Sequence, residues 1–267
     1  MSDTPGSLIR HAAIAAACLV LHAATARAQS PAPAPASPDF LPRYDFHLSV
    51  NSLSGDDQRF AWQARYGGDL DIVDYVIGRS SVLIDYEAIL GSEYRPFDPN
   101  QAYYVLELSS SYRAGATEIA GVFHHVSRHL SDRPKRMAIA WNVMGVRVLR
   151  RVDFGSGTID LVAEGGRIVQ HSAVDYTWTG NLDVMIRRSL SRRVGVFAHG
   201  FFEAVGVDGS DPTRETQTTR RFEAGLRFGG RGGAVELFAG YERRLDADPI
   251  DRLPLSWGIA GFRLARN

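Results

Sequence analysis

Apolar and polar residues alternate over long stretches of this chain. In residues 174–189, Tyr176, Trp178, Leu182, Val184 and Ile186 share one parity, against Asp175, Thr177, Thr179, Asn181, Asp183 and Arg187 on the other. Residues 44–50 set Tyr44, Phe46, Leu48 and Val50 against Asp45, His47 and Ser49. Residues 221–228 set Phe222, Ala224, Leu226 and Phe228 against Arg221, Glu223 and Arg227. A period of two is a strand with unlike faces, whereas a helix would repeat every 3.6 residues. Length separates the two solvents such a strand can meet. A tilted strand needs roughly ten residues to cross a bilayer, while soluble strands usually run about five or six. Several runs here reach ten or more. Aromatic residues also cluster near run ends (Tyr44, Tyr66, Tyr112, Tyr176 and Tyr241), as interfacial belts require.

Twelve runs are expected, near residues 44–52, 59–66, 80–92, 102–113, 117–129, 137–151, 158–168, 174–189, 193–206, 219–229, 233–243 and 255–265. The connections alternate between short (113–116, 153–156, 190–192, 230–232) and long and polar (93–101, 128–136, 208–218, 244–254). Outer-membrane barrels pair short periplasmic turns with longer external loops in this way. Residues 67–79 break the pattern, being too long for a turn. They read as a strand continuation or a small plug, with ten or fourteen strands as the alternatives. The expected fold is all-β, an antiparallel transmembrane β-barrel of about twelve strands over residues 44–267, with both termini in the periplasm. The architectural alternative is a soluble periplasmic barrel. About eight strands leave an interior filled by side chains and 16–18 leave a channel. A barrel of twelve is therefore expected to be packed with facing Asp, Glu and Arg pairs, not open as a diffusion pore.

Residues 1–28 read as a cleaved secretory signal peptide: Arg10 and His11, an apolar core at 12–21, and the small-x-small site Ala26-Arg27-Ala28. That core is too short for a spanning helix. The single cysteine, Cys18, lies inside it, so the exported chain would hold its fold without a disulfide. Residues 29–43 form a Pro/Ala-rich linker, SPAPAPASP, expected to be extended. Removing Asp3, Arg10 and Arg27 with the leader from 30 basic and 30 acidic residues leaves 28 and 29. No field of one sign remains to attract nucleic acid. Export and a barrel together place the chain in the bacterial outer membrane, with membrane lipids as partners.

The chemistry concentrates in residues 123–132, FHHVSRHLSD. His125, Ser127 and His129 share a parity with Ile119 and Phe123; Glu118, Ala120, Val122, His124 and Val126 take the other. If Glu118 faces the lumen, His125 and Ser127 face outward. A hairpin centred near Arg133-Pro134 would set His125 opposite Asn142, within the ~5 Å of cross-strand neighbours. A serine beside a histidine whose ring an amide orients is a workable nucleophile system. An amide on an apolar face is costly unless partnered. His124, Arg128, His129 and Asp132 complete a polar rim suited to ligand contact. A metal site is not expected: His125 and His129 stand four residues apart on a strand, too far to share one ion at ~2 Å. Residues 133–136, RPKR, would meet lipopolysaccharide phosphates through charge-assisted bonds. Residues 97–101 would lie over the His/Ser group. Asp208, Asp211 and Glu215 read as a polar loop in preference to a calcium site, and residues 229–233 as a tight turn.

His125-x-Ser127 followed by Trp141-Asn142 resembles the active-site pattern of the outer-membrane phospholipase A family. That resemblance implies a twelve-stranded barrel, a calcium-dependent homodimer acting on phospholipid acyl esters, Ser127 as nucleophile, His125 as base and Asn142 as the residue orienting it. Arg128-His129 stand where that family has Asn-Gly, and the gap to the asparagine is about three residues longer. Lipid A deacylases share H-x-S on a smaller barrel and are less similar. His125-x-Ser127-x-His129-Leu130-x-Asp132 is also similar to the H-x-S-S-H-L-G-D-E signature of an uncharacterised family of bacterial outer-membrane barrels, with Arg128, Ser131 and Arg133 departing from it. Two functions follow: a structural or envelope-interaction barrel of unresolved activity with a polar external rim, or an outer-leaflet lipid acyl hydrolase; a narrow solute channel is a distant third.

Overall fold

The structure is a computed structural model and describes residues 31, 34–131 and 138–265. Twelve strands account for most of them: β1 (Asp39–Leu53), β2 (Trp62–Asp74), β3 (Arg79–Gly91), β4 (Asp98–Ala114), β5 (Thr117–Leu130), β6 (Ile139–Phe154), β7 (Gly157–Ser172), β8 (Tyr176–Ser189), β9 (Val194–Val207), β10 (Gln217–Gly229), β11 (Ala234–Arg244) and β12 (Leu255–Ala265). Each pairs antiparallel with its sequence neighbours. β12 returns to β1 from His47↔Ala265 to Leu53↔Ile259, closing the barrel so that no strand edge is left unpaired.

Two of the short connections come from glycine placed first in a two-residue turn. Gly115 and Gly155 have φ of 62° and 50° between β4 and β5 and between β6 and β7. A two-residue hairpin needs positive φ there, and glycine adopts it without a Cβ clash. Residues 67–74 continue β2 through a bulge near Asp71, leaving only 75–78 for the turn into β3. This is the strand continuation and not the plug. The linker boundary moves: β1 begins at Asp39, so residues 39–43 are strand, and Arg43 reaches Asp69 at 3.0 Å. Pairing with β2 organises a stretch whose proline content alone favoured extension without a partner.

The faces are inverted relative to a soluble protein. Outward stand Phe46, Ile84, Leu106, Leu108, Met144, Val146 and Phe222, all exposed. Inward stand Asn51, Asp71, Arg79, Glu107, Glu118, Arg147 and Glu236, all buried. Hydrocarbon on the outer wall is what a bilayer demands. Charges within the wall must then be paired, because an isolated one in low dielectric is very costly. Arg147 meets Glu107 at 2.6 Å and Glu164 at 2.6 Å, and His124 Nε2 lies 2.6 Å from Glu164. Arg79 bridges Asp71 (3.0 Å) and Glu118 (2.7 Å). Arg221 bridges Glu223 (2.5 Å) and Glu242 (2.6 Å), and Arg244 continues the chain to Glu87 (2.5 Å). A central cavity of about 220 Å³ remains among these groups.

The end carrying the long loops is capped. Residues 245–249 fold into the mouth, where Leu245, Asp246, Ala247 and Asp248 are buried, and residues 250–254 return along the surface. Leu245 packs with Val143, Ile168, Tyr176 and Val205, and Ala247 with Phe60 and Trp257. Gln101 Nε2 donates to the Ala247 carbonyl at 2.9 Å. Arg214 joins Asp246 and Asp175, each at 2.8 Å, and the Tyr176 hydroxyl donates to Asp246 at 2.7 Å. Arg59 holds Asp248 and Asp251, each at 3.0 Å. Its hydrogen bond to Asp57, with Asp251 and Asp248 adding, raises the Arg59 guanidinium above its ordinary range. The bond from Arg214 to Asp246, reinforced by Asp175, does the same for Arg214.

Candidate functional site on the outer wall

β5 enters the wall with Glu118 buried inside and Ile119 exposed outside. Strand alternation carries that phase upward, so Val122, His124 and Arg128 turn inward while Phe123, His125, Ser127 and His129 turn outward. β6 runs back beside it in the register His125↔Asn142 and Ser127↔Ala140. His125 Nδ1 lies 2.7 Å from Asn142 Oδ1. Asn142 Nδ2 in turn donates to Gln170 Oε1 of β7 at 2.9 Å. Asn142 Oδ1 can only accept, so His125 Nδ1 donates the bond between them. In the neutral ring that tautomer leaves the lone pair on Nε2.

Ser127 does not hydrogen-bond His125 among the described residues. Its Oγ lies 2.9 Å from Nε2 of His129. His129 stacks edge-on against Tyr104, with ring centroids 5.1 Å apart. Tyr104 continues into Tyr86 (4.9 Å) and Tyr66 (4.8 Å). Tyr66, Tyr86, Tyr104 and Ser127 lie in one cross-strand row. The serine thus sits at the end of an aromatic ladder with a histidine on either side of it along β5.

The predicted rim divides. His129 joins Ser127, but His124 and Arg128 belong to the interior. His124 lies between Glu107 and Glu164, and Arg128 bonds Gln101 at 3.0 Å and the Ala247 carbonyl at 3.2 Å. One residue of parity sends each to the opposite side of the wall from His125. Asp132 and the basic segment 133–136 lie outside the described residues. Phe97 packs against Trp62 (5.9 Å), while Asn100 and Gln101 are buried. The segment 97–101 thus serves the strand end and the cap and is not laid over the His/Ser group. Asp208 and Asp211 bind the backbone of Ser210 and Thr213 in their own loop, which is turn chemistry.

Glu107, His124 and Glu164 bring ligand atoms within 4.8 Å of one another. Arg147 already occupies both carboxylates, so the cluster is a closed ion-pair network. Around Ser127 the outward groups are His125, His129, Asn142, Gln170 and Tyr104. Calcium takes six to eight oxygens, carboxylates foremost, and this set among the described residues offers amide and hydroxyl oxygens but no carboxylate. Gln170 carries no signal in the sequence. A β-bulge at Val169 lets β7 pair Asn142 with Gln170 but Val143 with Ile168, and this breaks the period on which strand recognition relies.

The closed barrel with a hydrocarbon exterior and an ion-paired interior defines the class: a twelve-stranded barrel of the outer-membrane type. No family model and no curated protein matches the sequence. Solved structures with this architecture are similar to it. Escherichia coli outer membrane phospholipase A has a TM-score of 0.50 at 11% identity, over 85% of this chain and 98% of that one. A Salmonella typhi outer membrane phospholipase dimer with bound calcium has a TM-score of 0.51 at 11% identity, over 84% and 90%. An active-site asparagine-to-alanine mutant of the E. coli enzyme has a TM-score of 0.51 at 11% identity, over 90% and 94%. At that identity the likeness carries the fold alone.

Proposed function

We propose that this chain is an outer-membrane lipid acyl hydrolase with Ser127 as nucleophile, His125 as general base and Asn142 holding the base. The observation that carries this is the His125–Asn142 hydrogen bond on the outward wall. It fixes the tautomer that leaves Nε2 basic, beside a serine on the same face. A barrel wall that spent an asparagine, a glutamine and two histidines on a hydrocarbon-facing surface for packing alone would gain nothing from them. Neighbouring structures of the same architecture are phospholipases, and in one of them the mutated active-site residue is an asparagine.

In the resting arrangement the Ser127 hydroxyl lies against His129. The mechanism requires a change of χ1 to another staggered rotamer that turns it toward His125. Oγ then attacks the ester carbonyl while His125 Nε2 accepts its proton. The tetrahedral intermediate collapses as the imidazolium returns that proton to the departing lipid alkoxide. Water, deprotonated by the same nitrogen, releases the fatty acid and restores Ser127. No step runs through calcium, because the described outward residues offer it no carboxylate. A homodimer pairing two outward walls fits a site that faces the membrane, and sedimentation of the refolded protein in detergent tests it.

The test is fatty-acid release from phospholipid in mixed micelles, comparing wild type with Ser127→Ala. Release that disappears in a folded mutant is the expected result; equal rates remove Ser127 from the chemistry. The Ser127–His129 bond favours a second reading, an envelope barrel whose polar wall binds lipid without turnover. That reading takes over if wild type releases nothing.

A further inference from the structure

One further group on the outer wall is not used by the hydrolysis. Arg167 on β7 is exposed and faces outward, opposite Met144 on β6 and Trp178 on β8. It has no hydrogen-bond or ion-pair partner among the described residues. The other outward arginines toward the capped end are engaged. Arg220 stands over the Phe202 ring at 5.3 Å, and Arg243 donates to the Thr218 carbonyl at 2.9 Å. A guanidinium facing hydrocarbon persists where it reaches an anion at the interface.

The position favours that anion. Ser127 is three residues from the capped end of β5, and Arg167 is five from that of β7. Trp178, two residues inside β8, lies at the level where tryptophan belts meet headgroups. The bulge at Val169 supplies the rest. Without the extra residue, Arg167 and Gln170 would face opposite sides of the wall; with it, both face outward. Gln170 holds Asn142, so the cation stands diagonally across the strand pair from the residue that orients His125.

We propose that Arg167 is the anchor for a lipid phosphate, held while the acyl ester lies at Ser127. This rests on the hydrolase reading for its consequence, but the binding itself does not need turnover. A guanidinium pairs with two phosphate oxygens at once, which fixes orientation as well as charge. A phosphodiester of a glycerophospholipid and a phosphomonoester on lipid A share this chemistry.

The test has two arms on refolded full-length barrels. In the first, release is measured from phosphatidylglycerol, lipid A and uncharged diacylglycerol for wild type, Arg167→Gln and Arg167→Lys. Arg167→Gln is expected to lower the phosphatidylglycerol-to-diacylglycerol rate ratio about tenfold, mostly through KM, the scale of one charged hydrogen bond, with Arg167→Lys restoring part of it. The same loss for lipid A instead assigns the phosphomonoester. In the second, native mass spectrometry follows retention of phosphatidylglycerol and diacylglycerol by Ser127→Ala barrels with and without Arg167→Gln. Retention that depends on Arg167, with no release by wild type, keeps the anchor and removes the hydrolase. Release that depends on Ser127, with ratio and retention indifferent to Arg167, removes the anchor and keeps the hydrolase.

Discussion

Replacing Asn142 by alanine isolates what the amide does for the histidine. The substitution removes the 2.7 Å bond to His125 Nδ1 and the 2.9 Å bond to Gln170 without touching the nucleophile. In the ground state the lost bond joins two neutral groups, worth about 1 kcal/mol net. In the transition state the imidazole is charged, and hydrogen bonds to charged groups are worth about 1.5–3 kcal/mol. The difference of about 0.5–2 kcal/mol falls on the barrier, so kcat drops roughly 2-fold to 30-fold, with KM nearly constant because Asn142 is not placed against the lipid. Gln170→Ala leaves the acceptor and removes only its support; a fall of about threefold to tenfold is expected, of the order of one neutral hydrogen bond. Initial rates over a range of lipid mole fraction in micelles, with heat-modifiability of the barrel checked on gels, read both variants. The reasoning is refuted if Asn142→Ala retains full kcat while Ser127→Ala has none, since an unheld imidazole would then suffice.

Four other outcomes are expected. Because Ser127 rests on His129, His129→Ala should leave kcat within about threefold while His125→Ala removes at least a hundredfold, the scale of a general base; the reverse order makes His129 the base. Arg147→Met leaves Glu107 and Glu164 without their cation and should destabilise the barrel by about 3–5 kcal/mol, read as a lower urea midpoint; an unchanged midpoint contradicts the paired interior. Arg214→Ala removes the cation that joins Asp246 to Asp175, leaving Tyr176 on Asp246 and Arg252 on Asp175, and should speed trypsin cleavage at Arg252 at least tenfold, since each charged bond is worth about 1.5–3 kcal/mol of local opening; an unaltered digestion rate denies the cap this anchor. Exchanging calcium for a chelator should change acyl release less than about twofold, given the ligand demands of that ion; a strict requirement would contradict the donor set around Ser127.

Much of the barrel is legible in the chain itself. Alternating loop lengths point to twelve strands, and a hairpin centred near residues 133 and 134 places His125 against Asn142, the register found. Glu118 sets the phase of β5, because a carboxylate must face the lumen, and that one residue turns His125 and Ser127 outward. What stays hidden breaks the period. The bulges near Asp71 and Val169 shift parity by one, which conceals the length of β2 and the roles of Arg167 and Gln170. Nor does a pattern of alternation say which rotamer a hydroxyl adopts, and Ser127 turns to His129. The pairing of Arg147 with two glutamates, and the descent of residues 245–249 into the mouth, join positions far apart in sequence that no local pattern relates.

The outward placement of His125, Ser127 and Asn142 also fixes how any encounter with them is counted. A pocket samples a volume, but a wall embedded in a bilayer samples an area, and its visitors arrive sideways, already oriented by the leaflet they occupy. Their relevant concentration is a surface density. Diluting the sample with buffer would leave it unchanged, while adding inert lipid or detergent would lower it, so that the amount of membrane per barrel becomes the quantity that governs the rate.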